Sequence, residues 1–203
     1  MSASLILAGA TTYLKNRGVR RAVSTAVTAF LVGRRRWLVT CEDLTKWEGA
    51  RPDVPGVELR LACRDDIPRL RRLPRWPADG PEAWMEPGRY LFLALQGDEV
   101  LAYRGLVTEV HPLVSAVLPL RADQVYESDV YTIAQHRRRG ISRALNIASA
   151  PFLLTRGYRE ALGLQRLNAR EAIFASRAKG IPHIGMITRT QVLGWVWLRF
   201  DPV

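Results

Sequence analysis

Residues 130–145, Val-Tyr-Thr-Ile-Ala-Gln-His-Arg-Arg-Arg-Gly-Ile-Ser-Arg-Ala-Leu, constrain what this 203-residue chain can fold into more than any other stretch. Val130, Tyr131, Thr132 and Ile133 are β-branched or aromatic and read as a strand. Beyond the turn Gln135–Gly140, residues Ile141, Ala144, Leu145 and Ala148 fall at helical spacing. A strand that feeds a basic, glycine-containing turn and then a helix has a plain physical use. The first N–H groups of the helix lack internal partners, and the helix dipole favours an anion there. Gly140 lets the chain approach a phosphate closely, Ser142 is small, and Arg137, Arg138 and Arg139 add positive charge. The stretch reads as a pyrophosphate cradle.

Arg137, Gly140 and Ser142, at that spacing, resemble the acyl-CoA-binding signature of the GNAT superfamily of N-acyltransferases: Gln or Arg, two residues, Gly, one residue, then Gly or Ala. Tyr131, Thr132, Ala144 and Leu145 fit around it. Arg138 stands where a glycine is common and disfavours positive φ there, and Ser142 replaces the usual Gly or Ala. The chain on either side carries further likeness. Val57–Leu61 alternates like a strand, and Arg64–Leu73 reads as a helix entry with an Asp near its N-cap and Pro68 in its first turn. Tyr90–Leu95 and Glu99–Val107 form a hairpin across Gln96-Gly97-Asp98. The helix from Ile141 closes at the C-cap glycine Gly157, a strand follows over Glu160–Leu167, and a helix over Ala169–Ala178 begins after Asn168. Ile184–Val192 and Trp195–Phe200 make a last hairpin across Leu193-Gly194.

The resemblance runs from about Val57 to the C-terminus and implies an α/β GNAT fold. That fold is a mixed, mostly antiparallel twisted sheet with flanking helices, in which the strand at Gln124–Ile133 splays from the strand at Glu160–Leu167. The division expected is a helical appendage over 1–53 and the acyltransferase domain over 54–203. In the appendage, Val19, Val23, Ala26, Val27, Phe30 and Leu31 make one helical face flanked by arginines, and Trp37–Cys41 reads as a short strand. Packing on the domain or on a partner, a second copy included, is favoured over contact with a membrane surface. No signal peptide is read in residues 2–12, and a cytoplasmic protein of bacterial type is expected.

The implied activity is acyl-CoA-dependent transfer of an acyl group, from acetyl-CoA or another acyl-CoA, to the primary amine of a small molecule. Thr132, Ile133 and Ala134 are expected to pair with pantetheine through backbone groups. Arg137, Arg138, Arg139, Gly140, Ile141, Ser142 and Arg143 are expected at the CoA phosphates, with Asn168 also on the cofactor side. An ammonium acceptor must lose a proton before attack, so a carboxylate base is needed. Glu127, Asp129 and Tyr131 share one strand face by alternation and are the catalytic candidates, although solvent-facing or arginine-paired roles suit them equally. Family members commonly protonate the departing thiolate with a tyrosine on the helix after Asn168; here Ala175 and Ser176 occupy that neighbourhood, and Ser176 is the candidate. Trp76, Trp84, Tyr103 and Arg104 are assigned to the acceptor side, with core packing as the competing role for the tryptophans.

The remaining features narrow the field. The net charge of +11 invites a nucleic-acid reading, but only three of the 30 basic residues are lysines, the arginines are scattered, and no nucleic-acid motif is present. No nucleic-acid partner is expected. A GNAT-fold enzyme with non-acetylating chemistry on an acyl thioester is the main alternative, and a basic nucleic-acid module a lesser one. Cys41 and Cys63 form no paired motif, and His111, His136 and His183 lack ligand spacing, so no metal is expected.

Overall fold

The computed structural model describes residues 32–74, 80–110, 112–192 and 195–203. Eight strands build one sheet: β1 (Val32–Asp43), β2 (Glu58–Leu61), β3 (Arg89–Gln96), β4 (Glu99–Val107), β5 (Gln124–Thr132), β6 (Glu160–Arg166), β7 (His183–Val192) and β8 (Trp195–Pro202). Their spatial order is β2-β3-β4-β5-β6-β1-β7-β8, and every pair is antiparallel except β5 with β6. The helices are α1 (Ile67–Leu70), α2 (Pro112–Ser115), α3 (Ile141–Leu154) and α4 (Arg170–Ala178).

Two apolar layers sandwich the sheet. Ile141, Leu145, Ala150 and Leu153 of α3 pack against Phe92, Ala94, Ala102 and Leu106 on one face. Leu70 and Trp84 pack against Leu91, Leu93 and Tyr103 on the other. α3 starts at left-handed Gly140 and ends in a Schellman motif. Gly157, with φ 86°, lets Tyr158 N–H reach Leu153 O at 3.2 Å and Gly157 N–H reach Leu154 O at 3.0 Å.

The expected appendage over 1–53 does not hold for its described part. Residues 32–43 are an interior strand, paired with β6 on one side and β7 on the other. Arg34-Arg35-Arg36 hid it, because strands rarely carry three consecutive charges; here the guanidinium groups lie exposed on both sheet faces. The helical face over 19–31, the residue Trp76 and the turn at Leu193-Gly194 lie outside the described residues. The helix expected from Arg64 is shorter than its pattern suggested, a 3₁₀ turn over Arg64–Asp66 followed by the four residues of α1. α4 starts at Arg170 with Ala169 as its N-cap, so Asn168 does not cap it.

Asp66 explains why the β2–α1 corner is tight. It is 1% exposed, accepts Cys63 N–H at 2.8 Å, and receives both Arg60 amino groups at 2.6 and 2.8 Å. The Arg60 hydrogen bonds hold its carboxyl at about 2, below the ordinary 3.8. A depressed carboxyl stabilises the fold fully above its unfolded value, and that contribution disappears as pH falls through the folded value. Asp66→Asn is therefore expected to cost about 2 kcal/mol at neutral pH, with the gap to the parent protein closing as pH falls from about 4 to 2. Denaturant titrations across that window check it; a gap independent of pH refutes the assignment.

Candidate active site

β5 and β6 run parallel only from Gln124 and Glu160 to Glu127 and Gly163. Beyond that pair they part. The cause lies in the β4–β5 ladder, where Gly105 faces Asp129 but Leu106 faces Glu127, leaving Ser128 as the extra residue of a bulge. A bulge bends its strand and ends pairing on the far side. Ile133 N–H donates to Leu101 O at 3.0 Å, so Tyr131 and Ile133 turn their backbone groups toward β4. By alternation, Val130 and Thr132 turn theirs into the gap. Thr132 was expected there; Val130 was not. Gly163 is the floor of the gap on β6, where an added Cβ would stand 2.7 Å from Thr40 Oγ1.

The gap leads into the basic turn. Ala134–His136 form one 3₁₀ turn, and Arg138 and Gly140 follow in left-handed conformations with φ 63° and 76°. Arg138 thus adopts the backbone its side chain disfavours, at a cost of about 1–2 kcal/mol. Left-handed residues in such a turn gather successive N–H groups into a concavity suited to an anion. α3 has no acidic residue in its first turn and no side-chain cap, which leaves the N–H groups of Ile141, Ser142 and Arg143 for a ligand. The Ile141 side chain itself is core, 1% exposed. Arg137 donates to Thr132 O and to Glu171 Oε2, both at 3.2 Å, tying the end of β5 to α4. Arg139 lies 3.0 Å from His136 Nδ1, and His136 Nε2 lies 3.1 Å from Glu99.

Below the gap lies a buried polar network. Arg104 is 0% exposed; its Nε donates to Glu127 Oε2 at 2.7 Å, its Nη1 to Ser149 Oγ at 2.8 Å, and its Nη2 to Glu42. Glu42, carried in by β1, also accepts Asn146 Nδ2 and, at 2.8 Å, Trp47 Nε1. Burial alone would push the Glu42 carboxyl up, but the Arg104 charge and these hydrogen bonds outweigh it and hold it below the usual range. Burial likewise opposes the Arg104 charge, and Glu42 and Glu127 restore it. Asn146 Oδ1 accepts Lys179 Nζ at 3.5 Å, which extends the network from β1 to the end of α4.

Several expectations change here. Arg104 was assigned to an acceptor pocket, but with no exposed surface it cannot touch one. Glu127, Asp129 and Tyr131 do not share a face. Glu127 meets Arg104 beneath α3, whereas Asp129 accepts Tyr103 O–H at 2.8 Å on the opposite face, where the Tyr103 and Tyr131 rings lie 5.8 Å apart. The bulge at Ser128 inserts one residue and so breaks the alternation. Tyr103 is wholly buried, and Trp84, 5% exposed, packs directly against Gly105, the packing role that competed for it. Ser176 is buried with its hydroxyl 2.9 Å from Ile173 O and 3.2 Å from Gln165 Oε1, so its one proton serves α4 and not a thiolate. Asn168 is exposed in a depression lined by Arg34–Trp37 and Arg166. Cys41 is no nucleophile: burial and Glu160 push its thiol up to about 12. Among the described residues no cluster of His, Cys, Asp or Glu could hold a metal, and no helix is long and apolar enough to cross a membrane. Glu42, Ser149 and Asn146 were not singled out from sequence; the available signal was an arginine in the middle of an apolar strand, which demands buried counter-charges.

No protein-family model and no curated protein sequence matches the chain. Solved structures match by shape. A tandem GNAT protein from the clavulanic acid biosynthesis pathway superposes with a TM-score of 0.58 at 15% identity, over 86% of this chain and 59% of its own. A Drosophila protein gives 0.56 at 13%, over 87% and 58%. The aminoglycoside N-acetyltransferase AAC(6')-Iy, solved in complex with CoA, gives 0.52 at 16%, over 62% and 92%. The chain thus spans under two thirds of the length of the first two. A match over 86% of 203 residues is longer than residues 54–203 alone, so the shared shape includes part of the region once expected to be an appendage. The likeness shows that the chain has the GNAT fold.

Proposed function

We propose that the chain is an acyl-CoA-dependent N-acyltransferase that moves an acyl group, acetyl in the simplest case, from CoA to the amine of a small molecule. One observation carries the reading: a strand edge open at Val130 and at the Thr132 N–H leads directly into a left-handed turn and an acid-free helix N-terminus. An arm bearing amides, laid along that edge, adds to β5 as a further strand would. Its diphosphate then meets the N–H groups of Ile141–Arg143 and the positive end of the α3 dipole. The thioester arrives at the floor formed by Glu127 and Gly163.

The amine approaches from the face that carries Asp129, Tyr103 and Tyr131. Asp129 is the base. Glu127 is less suited, because its carboxylate is engaged by Arg104 Nε at 2.7 Å on the α3 face, opposite Asp129 and the two tyrosines. The attacking nitrogen bonds to the acyl carbon, its proton passes to Asp129 directly or through water, and the carbon–sulfur bond breaks.

Calorimetric titration with CoA and with acetyl-CoA tests the reading. The parent protein is expected to bind both. Gly140→Asp is expected to lose at least about tenfold in affinity, because it sets a side chain in a left-handed position and a like charge at the helix N-terminus. A parent protein that binds neither ligand refutes the proposal.

A further inference from the structure

Arginines that lie scattered in the sequence are gathered by the fold at one end of the sheet. β6 stops at Arg166, opposite Trp37, while β1 runs on over Val32–Arg36, paired with β7 alone among the described residues. The notch left beside it is a depression of about 520 Å³, lined by Arg34, Arg35, Arg36, Trp37 and Arg166. Arg34 also lines a second depression, of about 350 Å³, with Thr188, Thr190, Trp197 and Arg199. The two form one strip. Register sets its rungs: Arg34, Thr190 and Trp197 stand side by side across β1, β7 and β8, and so do Arg36, Thr188 and Arg199. Trp197 is 54% exposed, and Trp195, its neighbour on the same strand face, is 72% exposed.

Three features of the strip call for an anionic ligand. Arg34, Arg35, Arg36 and Arg166 have no ion pair among the described residues, whereas Arg121, Arg137 and Arg199, also exposed, each meet a carboxylate within 3.2 Å. Residues 1–31, which lead into β1, contain no Asp or Glu and add Lys15, Arg17, Arg20 and Arg21. Thr188, between Arg36 and Arg199, is 5% exposed, and its Oγ1 has no hydrogen-bond partner among the described residues. A buried hydroxyl left so is costly until an acceptor arrives.

We propose that this strip binds single-stranded nucleic acid. Phosphates lie in the notch, where arginines reach them from both faces of the sheet. Bases stack on the open rings of Trp197 and Trp195, a contact any base can make because each has a π face. A phosphate oxygen held between Arg36 and Arg199 gives Thr188 its acceptor. A bilayer surface is too flat to follow the notch, and an acidic peptide has no use for two open indole rings. The strip shares no residue with the β5 edge or the α3 turn, so it stands whether or not the acyl-CoA reading does.

The test is fluorescence anisotropy of an end-labelled oligouridylate or oligothymidylate of about twelve nucleotides, titrated with the full chain at several salt concentrations. Binding is expected, with log affinity falling against log salt at a slope of about −2 to −3, as contact with about three or four phosphates requires. Arg34→Gln/Arg36→Gln is expected to weaken binding at least about tenfold at low salt and to flatten the slope by about 1. Trp197→Ala is expected to lose at least about fivefold with the slope unchanged, and Trp197→Phe to keep the affinity. Arg51→Gln/Arg72→Gln removes the same charge from exposed positions outside the strip and leaves binding intact. A parent chain that binds no oligonucleotide overturns the proposal. An equal loss in the two double variants does so too, since it marks net charge alone. Displacement by saturating CoA, with Trp197→Ala unimpaired, puts the oligonucleotide at the α3 turn and also overturns it. A parent chain that prefers phosphatidylserine vesicles or polyglutamate to the oligonucleotide assigns the strip to a membrane or an acidic protein instead.

Discussion

Arg104→Met is expected to remove about 3–5 kcal/mol of folding stability, the usual cost of breaking a buried ion pair from one side. The guanidinium is wholly buried and answers two carboxylates, Glu42 from β1 and Glu127 from β5, besides the Ser149 hydroxyl of α3. Its removal leaves Glu42, itself 2% exposed, with Asn146, Trp47, a Lys46 ammonium 4.0 Å away and the more distant charge of Lys179. The loss is specific to the imbalance of charge and not to the volume lost. Neutralising the carboxylates as well, in Glu42→Gln/Arg104→Met/Glu127→Gln, is expected to recover most of the loss, because the two buried charges and the partly buried Glu127 carboxylate go together. Denaturant unfolding of the single and triple variants measures both numbers. A single variant that loses less than about 1 kcal/mol would show that water, not these carboxylates, already carries the arginine.

The second large effect is kinetic. Asp129→Asn is expected to lower turnover by roughly 10²–10⁴-fold with acyl-CoA affinity retained, the usual worth of a general base. Glu127→Gln is expected to act chiefly on stability, through Arg104, and to change turnover far less. Thiol release from acetyl-CoA across a panel of amines, with calorimetry of CoA for each variant, separates the two. A collapsed rate in Glu127→Gln with Asp129→Asn unimpaired would return the base to the α3 face. Activity rising with pH in Asp129→Asn, as more of the amine is neutral in solution, is the signature that a proton acceptor has been removed.

What the sequence disclosed followed from local periodicity, and what it concealed came from long-range pairing. The β3–β4 hairpin was legible because Gly97 and Asp98 separate two apolar runs, and the structure places the turn there with Gly97 at φ 59°. The strand, turn and α3 were legible because the hydrophobic period changes from two to 3.6 across Gly140. β1 was read as part of an appendage, since nothing near Arg34–Arg36 says that partners lie at Arg166 and Val192. The face of Asp129 was misread because one extra residue, Ser128, reverses every side chain after it, and a bulge leaves no mark in a sequence of polar residues. Arg104 was misread for a related reason. A charge in an apolar strand suggests a pocket or a buried ion pair, and its counter-charges lie at positions 42 and 127. Ser176 was tied to the thiolate by its place on α4, but its hydroxyl faces β6.

The interior position of β1 has a consequence for synthesis. A ribosome delivers Val32–Asp43 before any of its sheet partners exists. Trp37 must wait for Arg166, and Val32 for Val192, both far later in the chain. Such distant pairing slows folding, and a strand exposed on both edges meanwhile is an invitation to pair with the wrong chain. Arg34, Arg35 and Arg36 make that hard: on a nascent chain like charges repel a neighbouring copy, and in the finished sheet they remain at the surface, where they cost little. The run that obscured the strand is also what lets it wait.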